Sequence, residues 1–353
     1  MPIGGAERIA LNLSTGLDDK GYDVDLVLVD ASGRLLNALP EAVTIIDLNA
    51  TRVATSILPL KRYLERHEPD VLYSMMTEVN VIAVLASQLA KADTKLVISE
   101  HNTPTVSADG LKDQFVLKLV AHTYPRADHV VTVSRGVRDD LLDVVNLPAE
   151  DVSVIYNPID IDRIRARADE PLDHEWLDDP NLNVILSAGR HAPQKGFDTL
   201  LRAFARLDDP TTRLILLGDG EERESLMQLA TELGIEDRTD FPGFVDNPFS
   251  YMARANLFAL SSWYEGFGNV LIEAMATGCP IVSTDCPSGP SEILEDGRYG
   301  ALVPVKNGSA MAASIVDVLE NPTNPEDIRK RANEFATEAV VDQYVRLFDS
   351  VGS

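Results

Sequence analysis

A chain of 353 residues, 45% hydrophobic and 25% charged, is globular and long enough for two cores rather than one. Its 56 acidic residues against 31 basic ones leave a net charge of −25 spread along the chain, which excludes a nucleic-acid partner. Two cysteines, Cys279 and Cys286, and no apolar run of spanning length exclude a disulfide scaffold and an integral membrane protein.

The expected setting is therefore a reducing cytoplasm, with contact at a membrane face as the furthest departure from it. The diffuse acidic excess predicts a hydrated, self-repelling surface of the halophilic kind. At molar salt the Debye length falls to about 3 Å, which screens that repulsion. Thermal unfolding is thus expected to move to higher temperature between low and molar KCl, and a flat or falling curve refutes this reading.

Short β-branched runs alternate with longer amphipathic ones, the pattern of parallel α/β units. A helix is predicted over 6–17, with Ile9, Leu13 and Leu17 on one face and Gly21 beyond its end. It opens on Gly4-Gly5-Ala6-Glu7-Arg8, a Gly pair that should follow a strand, yet only Met1-Pro2-Ile3 precede it. Either the chain is truncated there or the first domain lacks a central strand. Strands follow at 24–29, 71–73, 96–99, 129–133 and 152–155, with a helix at 78–91. The segment 111–124 places Leu111, Phe115, Leu119 and His122 near one face, with Lys112 and Lys118 elsewhere. It reads as a core-facing helix or as one docked on a membrane surface. Polar residues and prolines over 157–179 predict an interdomain linker.

The alternation then restarts, with strands at 184–188, 214–217, 257–260 and 281–283 and helices at 197–207, 221–233 and 268–277. Helices dominate from Ser309, and the last, about 338–348, is expected to reach back across the junction. The predicted organisation is a first domain over 1–160, a second over 161–335, and a returning helix within 336–353. Two Rossmann-like sheets facing across a cleft would bind ligands beyond the carboxyl ends of their strands.

The strongest chemical signal is the run Trp263 to Met275. A strand ends, a Gly-containing loop carries Glu265, and a helix opens near Gly268 with Glu273 two turns along. The N–H groups and partial positive charge of such a helix start suit a phosphate. A second run, Gly189 to Asp198, sends Arg190 and Lys195 from another strand end, where two cations can neutralise a diphosphate leaving group. Ordinary surface cations would be disfavoured beside a helix start. His101, at the end of the strand Ile98-Ser99-Glu100, is either a contact to substrate or a hydrogen-bonded structural residue. Gly218-Asp219-Gly220 reads as a turn, and Phe241 to Val245 as a turn or as backbone groups presented to a base. No cluster has metal-ligand spacing.

Together these motifs resemble glycosyltransferase family 4 over essentially the whole chain, through Gly4 to Arg8, Glu100-His101-Asn102, Val133 to Val137, Tyr156 to Asp160, Gly189 to Phe197 and Glu265 to Glu273. The resemblance implies a GT-B fold, retention of anomeric configuration and no metal cofactor. It further implies a nucleotide-sugar donor, UDP-linked in the expected case, and a glycan or polyprenyl-linked acceptor, with transfer of a hexose or N-acetylhexosamine. By position, Arg190 and Lys195 would grip the diphosphate, Glu273 the ribose, and Glu265 the donor-sugar hydroxyls. Gly268, Asn269 and Val270 would offer backbone donors to the distal phosphate, Gly4 and Gly5 would close over the diphosphate, His101 would lie near the sugar, and Val245 would meet the base. The family carries a strand before the Gly pair; this chain does not. An impaired nucleotide-sugar-binding protein, and a GT-B epimerase or phosphorylase, remain the alternatives.

Overall fold

A computed structural model describes residues 5–31, 39–105 and 110–352, without the side chains of Leu111 and Lys112. The chain forms two compact units, one of Met1–Ile159 with Ala336–Ser353 and the other of Asp160–Phe335.

In the first unit the order is α1 (Gly5–Asp19), β1 (Asp25–Leu28), β2 (Thr44–Asp47), α2 (Ile57–His67), β3 (Val71–Met75), α3 (Thr77–Leu89), β4 (Lys95–Glu100), α4 (Leu111–Thr123), β5 (His129–Thr132), α5 (Arg135–Val144) and β6 (Val152–Val154). Every strand pairing is parallel. The described strands fall into two sheets, β1-β2 and β3-β4-β5-β6. The final helix of the chain, α15 in order (Thr337–Gly352), belongs to this unit. Its Val340, Val341, Tyr344 and Phe348 pack with Leu13 of α1 and with Val97 and Val131 of the sheet. A Cβ on Gly16 would lie 2.5 Å from Val341 Cγ2, so the two helices meet where α1 has no side chain.

The second unit continues with α6 (Ile161–Ala168), α7 (Glu175–Asp178), β7 (Asn183–Ala188), α8 (Phe197–Phe204), β8 (Thr212–Leu217), α9 (Arg223–Glu232), β9 (Thr239–Gly243), α10 (Pro248–Arg254) and β10 (Leu257–Leu260). It ends with α11 (Asn269–Thr277), β11 (Ile281–Thr284), α12 (Pro290–Ile293), β12 (Ala301–Val303), α13 (Gly308–Glu320) and α14 (Pro325–Ala332). Its parallel sheet has the order β12-β11-β10-β7-β8-β9. The strands at its centre are near-continuous apolar runs, as expected of a sheet covered on both faces.

The structure refines three expectations. The segment 157–179 holds the boundary between the units, after Ile159, but it is helical in part: Asp160 caps α6 by accepting from Arg163 N at 3.0 Å, and Ile161, Ile164 and Ala168 are buried at helical spacing. Polar composition hid a three-residue apolar stripe. In α4 the inward residues are Val120 and Thr123, with Val116 and Leu119 partly covered, whereas Phe115 stands 62% exposed. Of the face read as Leu111, Phe115, Leu119 and His122, Leu119 packs against the core, Phe115 and His122 are exposed, and the side chain of Leu111 lies outside the described residues. Finally, β2, β9 and β12 are strands that the pattern did not mark: β2 is mostly exposed, β9 carries Pro242 and Gly243, and β12 has three residues.

Candidate active site

The site in the second unit follows from strand order. β7 and β10 are neighbours, with Leu257 paired to Ile185 and Phe258 to Leu186. Their carboxyl-end loops are therefore side by side although about 70 residues separate them. Trp263 N donates to Gln194 O at 2.8 Å, and Ser261 Oγ donates to Lys195 O at 2.8 Å. Across this seam Lys195 Nζ reaches Glu265 Oε1 at 2.6 Å. Glu265 is only 7% exposed, so its charge is sheltered from water and depends on such partners.

Glu265 is further fixed from below. Ser262 Oγ donates to the same Oε1 at 2.6 Å, and Thr284 Oγ1, from β11, donates to Ser262 O at 2.6 Å. Ser262 and Thr284 are fully buried. Sequence reading passed over both; the available signal was the pair Ser261-Ser262 ending the apolar strand β10. The chain then turns through Gly268, whose φ of +95° opens α11. Asn269 and Val270 lie in its first turn, and Glu273, half-buried, lies just over one turn in.

A neighbouring loop braces this one. Gly289 has φ +93°, and a Cβ there would sit 1.7 Å from the Phe267 carbonyl oxygen. The two loops thus touch backbone to backbone beneath the start of α11. The loops after β7, β8 and β9 interlock in the same way. His191 N donates to Asp219 O, Glu222 N to His191 O and Gly218 N to Gly243 O, at 2.8–2.9 Å. A Cβ on Gly218 would fall 1.9 Å from Gly189 O. His191 is buried, edge-on to Phe197, and burial holds its imidazole below the usual range, helped by the Arg223 charge. This brace leaves Arg190 exposed, with no side-chain partner among the described residues. Val245 follows β9, half-buried.

The remaining candidates belong to the first unit. His101 follows β4; its Nε2 lies 3.0 Å from Ser99 Oγ, and burial pushes its pKa down to about 4, so it is neutral near pH 7. Its backbone is held by Glu100, a fully buried carboxylate that accepts from His101 N, Asn102 N, Thr77 Oγ1 and Tyr124 Oη at 2.6–3.1 Å. Burial raises the Glu100 carboxyl, and these donors pull it back. Gly5 opens α1, exposed; Gly4 lies outside the described residues.

A strand-end carboxylate, a cation paired to it and a helix N-terminus make a built polar site. Residues 3–163 match the model for Glycosyltransferase Family 4, and residues 169–335 match that for Glycosyl transferases group 1. An N-acetylgalactosamine-N,N'-diacetylbacillosaminyl-diphospho-undecaprenol 4-alpha-N-acetylgalactosaminyltransferase of Campylobacter jejuni is 32% identical over 90% of this chain and 87% of its own. The chain belongs to glycosyltransferase family 4. As a family 4 enzyme it is a glycosyltransferase. The lipopolysaccharide core biosynthesis glycosyltransferase LpsE of Rhizobium meliloti is 29% identical, covering 98% of this chain and 96% of its own. The fold is GT-B: HepE of Anabaena, crystallised with UDP, matches with a TM-score of 0.83 over 99% of this chain and 97% of that one, at 24% identity.

Proposed function

We propose that this family 4 enzyme is a retaining transferase that moves a hexose or N-acetylhexosamine from a UDP-sugar to a glycan or polyprenyl-linked acceptor. The observation that carries the reading is the Lys195–Glu265 pair set beside the start of α11. A UDP-binding fold neighbour and a relative acting on a diphospho-undecaprenol acceptor support the donor and acceptor classes.

In this reading the donor diphosphate takes the Lys195 ammonium from Glu265 and adds Arg190 and the backbone of Gly268, Asn269 and Val270. Positive charge at the leaving group stabilises the transition state more than the ground state, because negative charge grows there as the sugar–phosphate bond breaks. Glu265, still held by Ser262, then accepts from donor-sugar hydroxyls. Glu273 binds the ribose, Val245 the base, Gly4 and Gly5 the diphosphate, and neutral His101 the sugar. The acceptor oxygen bonds to the anomeric carbon on the face the phosphate leaves, and its proton passes to that phosphate. No resident metal is required. The proposed location is cytoplasmic, with α4, whose Phe115 is 62% exposed, as the segment that would meet a membrane face.

A thermal-shift panel of nucleotide-sugars identifies the donor, since a ligand bound only by the native state raises its stability. Arg190→Ala is expected to weaken UDP about tenfold, equal to about 1.4 kcal/mol. Product NMR with the selected donor should show the donor's anomeric configuration. An inverted product ends the retaining assignment, UDP binding without turnover on any acceptor favours the impaired protein, and C2-epimerised sugar favours an epimerase.

A further inference from the structure

We propose that the second unit carries a separate site for the phosphate group of a phosphorylated sugar, between α8 and the start of α13. An open cavity of about 420 Å³ lies there, lined by Arg202, Arg206, Trp263, Lys306 and Ser309, with Asp198 as its one acidic wall residue. None of the donor-site residues Lys195, Glu265, Gly268 or Glu273 lines it.

Three cations gather at this cavity in a chain whose acidic residues outnumber its basic ones by 56 to 31. Arg202 and Arg206, four residues apart, project as like charges from one side of α8 and the turn after it, an arrangement that costs free energy without an anion nearby. Neither forms a side-chain ion pair among the described residues, and both are exposed. Lys306 joins the lining, its Nζ 3.8 Å from the centroid of the Trp263 ring. The 13-residue α13 begins at this wall and adds its positive end. The cations define an anion. The cavity volume lies in the small-molecule range of roughly 300–1,000 Å³ and is larger than a phosphate needs, so the ligand is a phosphate borne on a hexose-sized ring. Such a group occurs on a free sugar phosphate and at a phosphorylated end of a glycan acceptor.

Isothermal titration calorimetry on the full chain, with and without saturating UDP, tests this with glucose 6-phosphate, inorganic phosphate and glucose. Glucose 6-phosphate is expected to bind one site in both conditions, about tenfold tighter than inorganic phosphate, with glucose silent. Arg202→Glu/Arg206→Glu should lose about 30-fold in that affinity and leave UDP binding unchanged. Arg202→Gln/Arg206→Gln, with the unfolding temperature recorded, separates charge loss from misfolding. Absence of saturable binding, displacement by UDP, or full affinity in both double variants overturns the proposal. Flotation with phosphatidylglycerol vesicles is the contrasting arm: arginine-dependent flotation that glucose 6-phosphate does not compete also overturns it. Phosphorylated oligosaccharide binding tighter than glucose 6-phosphate assigns the site to the acceptor; equal binding assigns it to a free sugar phosphate.

Discussion

Glu265→Gln is expected to lower kcat by about 10²–10³-fold, the scale of losing one preorganised electrostatic group. Its unfolding temperature should stay close to that of the parent. The amide still accepts from Ser262 Oγ, and Lys195 still meets an oxygen rather than an empty cavity. Lys195→Ala differs in kind. It takes the ammonium away from a carboxylate that is 7% exposed, and removing one partner of a buried ion pair costs about 3 kcal/mol. The lower end of the usual range applies because the Lys195 side chain keeps 19% of its exposure. The double variant Lys195→Ala/Glu265→Gln should regain most of the stability, since the buried negative charge is removed together with its ammonium, and none of the rate. Calorimetric unfolding and kcat at saturating donor, measured on all four proteins, separate the two roles. Recovery of rate in the double variant, or near-parental kcat in Glu265→Gln, removes the pair from the reaction.

Gly289→Ala tests the brace beneath the donor loop. The new methyl would lie 1.7 Å from the Phe267 carbonyl oxygen, a backbone atom with no rotamer to escape into. A φ of +93° adds the left-handed penalty for an L-residue. Strain of about 2–3 kcal/mol, at roughly 2–4 °C per kcal/mol for a unit of this size, gives a fall of about 5–10 °C in unfolding temperature. Relief of the clash must move Phe267 and Gly268, so UDP affinity should fall with it, by about tenfold or more. Gly5→Ala is the control for stability: nothing lies within 4 Å of a Cβ there, and the change should stay within about 0.5 kcal/mol. Parental unfolding and UDP affinity in Gly289→Ala would show that the two loops separate at no cost.

Residue pattern alone carried the class of fold and the family. Runs such as Val-Ile-Leu-Ser-Ala at β7 and Leu-Phe-Ala-Leu at β10 announce buried parallel strands, because both faces of each are covered. The glycines and charges after them announce strand-end loops. Less of the local structure was legible where the signal is short or mixed. β2 and β12 have four and three residues, and α6 hides three apolar residues among arginines and aspartates.

Strand order lay outside the reach of the sequence. Nothing in the spacing of Lys195 and Glu265 states that β7 and β10 adjoin; that adjacency comes from packing the whole second unit. The same holds for Thr284 under Ser262, for Gly289 against Phe267, and for Arg202, Arg206 and Lys306 lining one cavity. Periodicity is a local property, set by how each segment buries its own apolar side chains. A site is a contact between segments far apart in the chain, and only the tertiary structure, by choosing which strands and helices are neighbours, decides which residues meet.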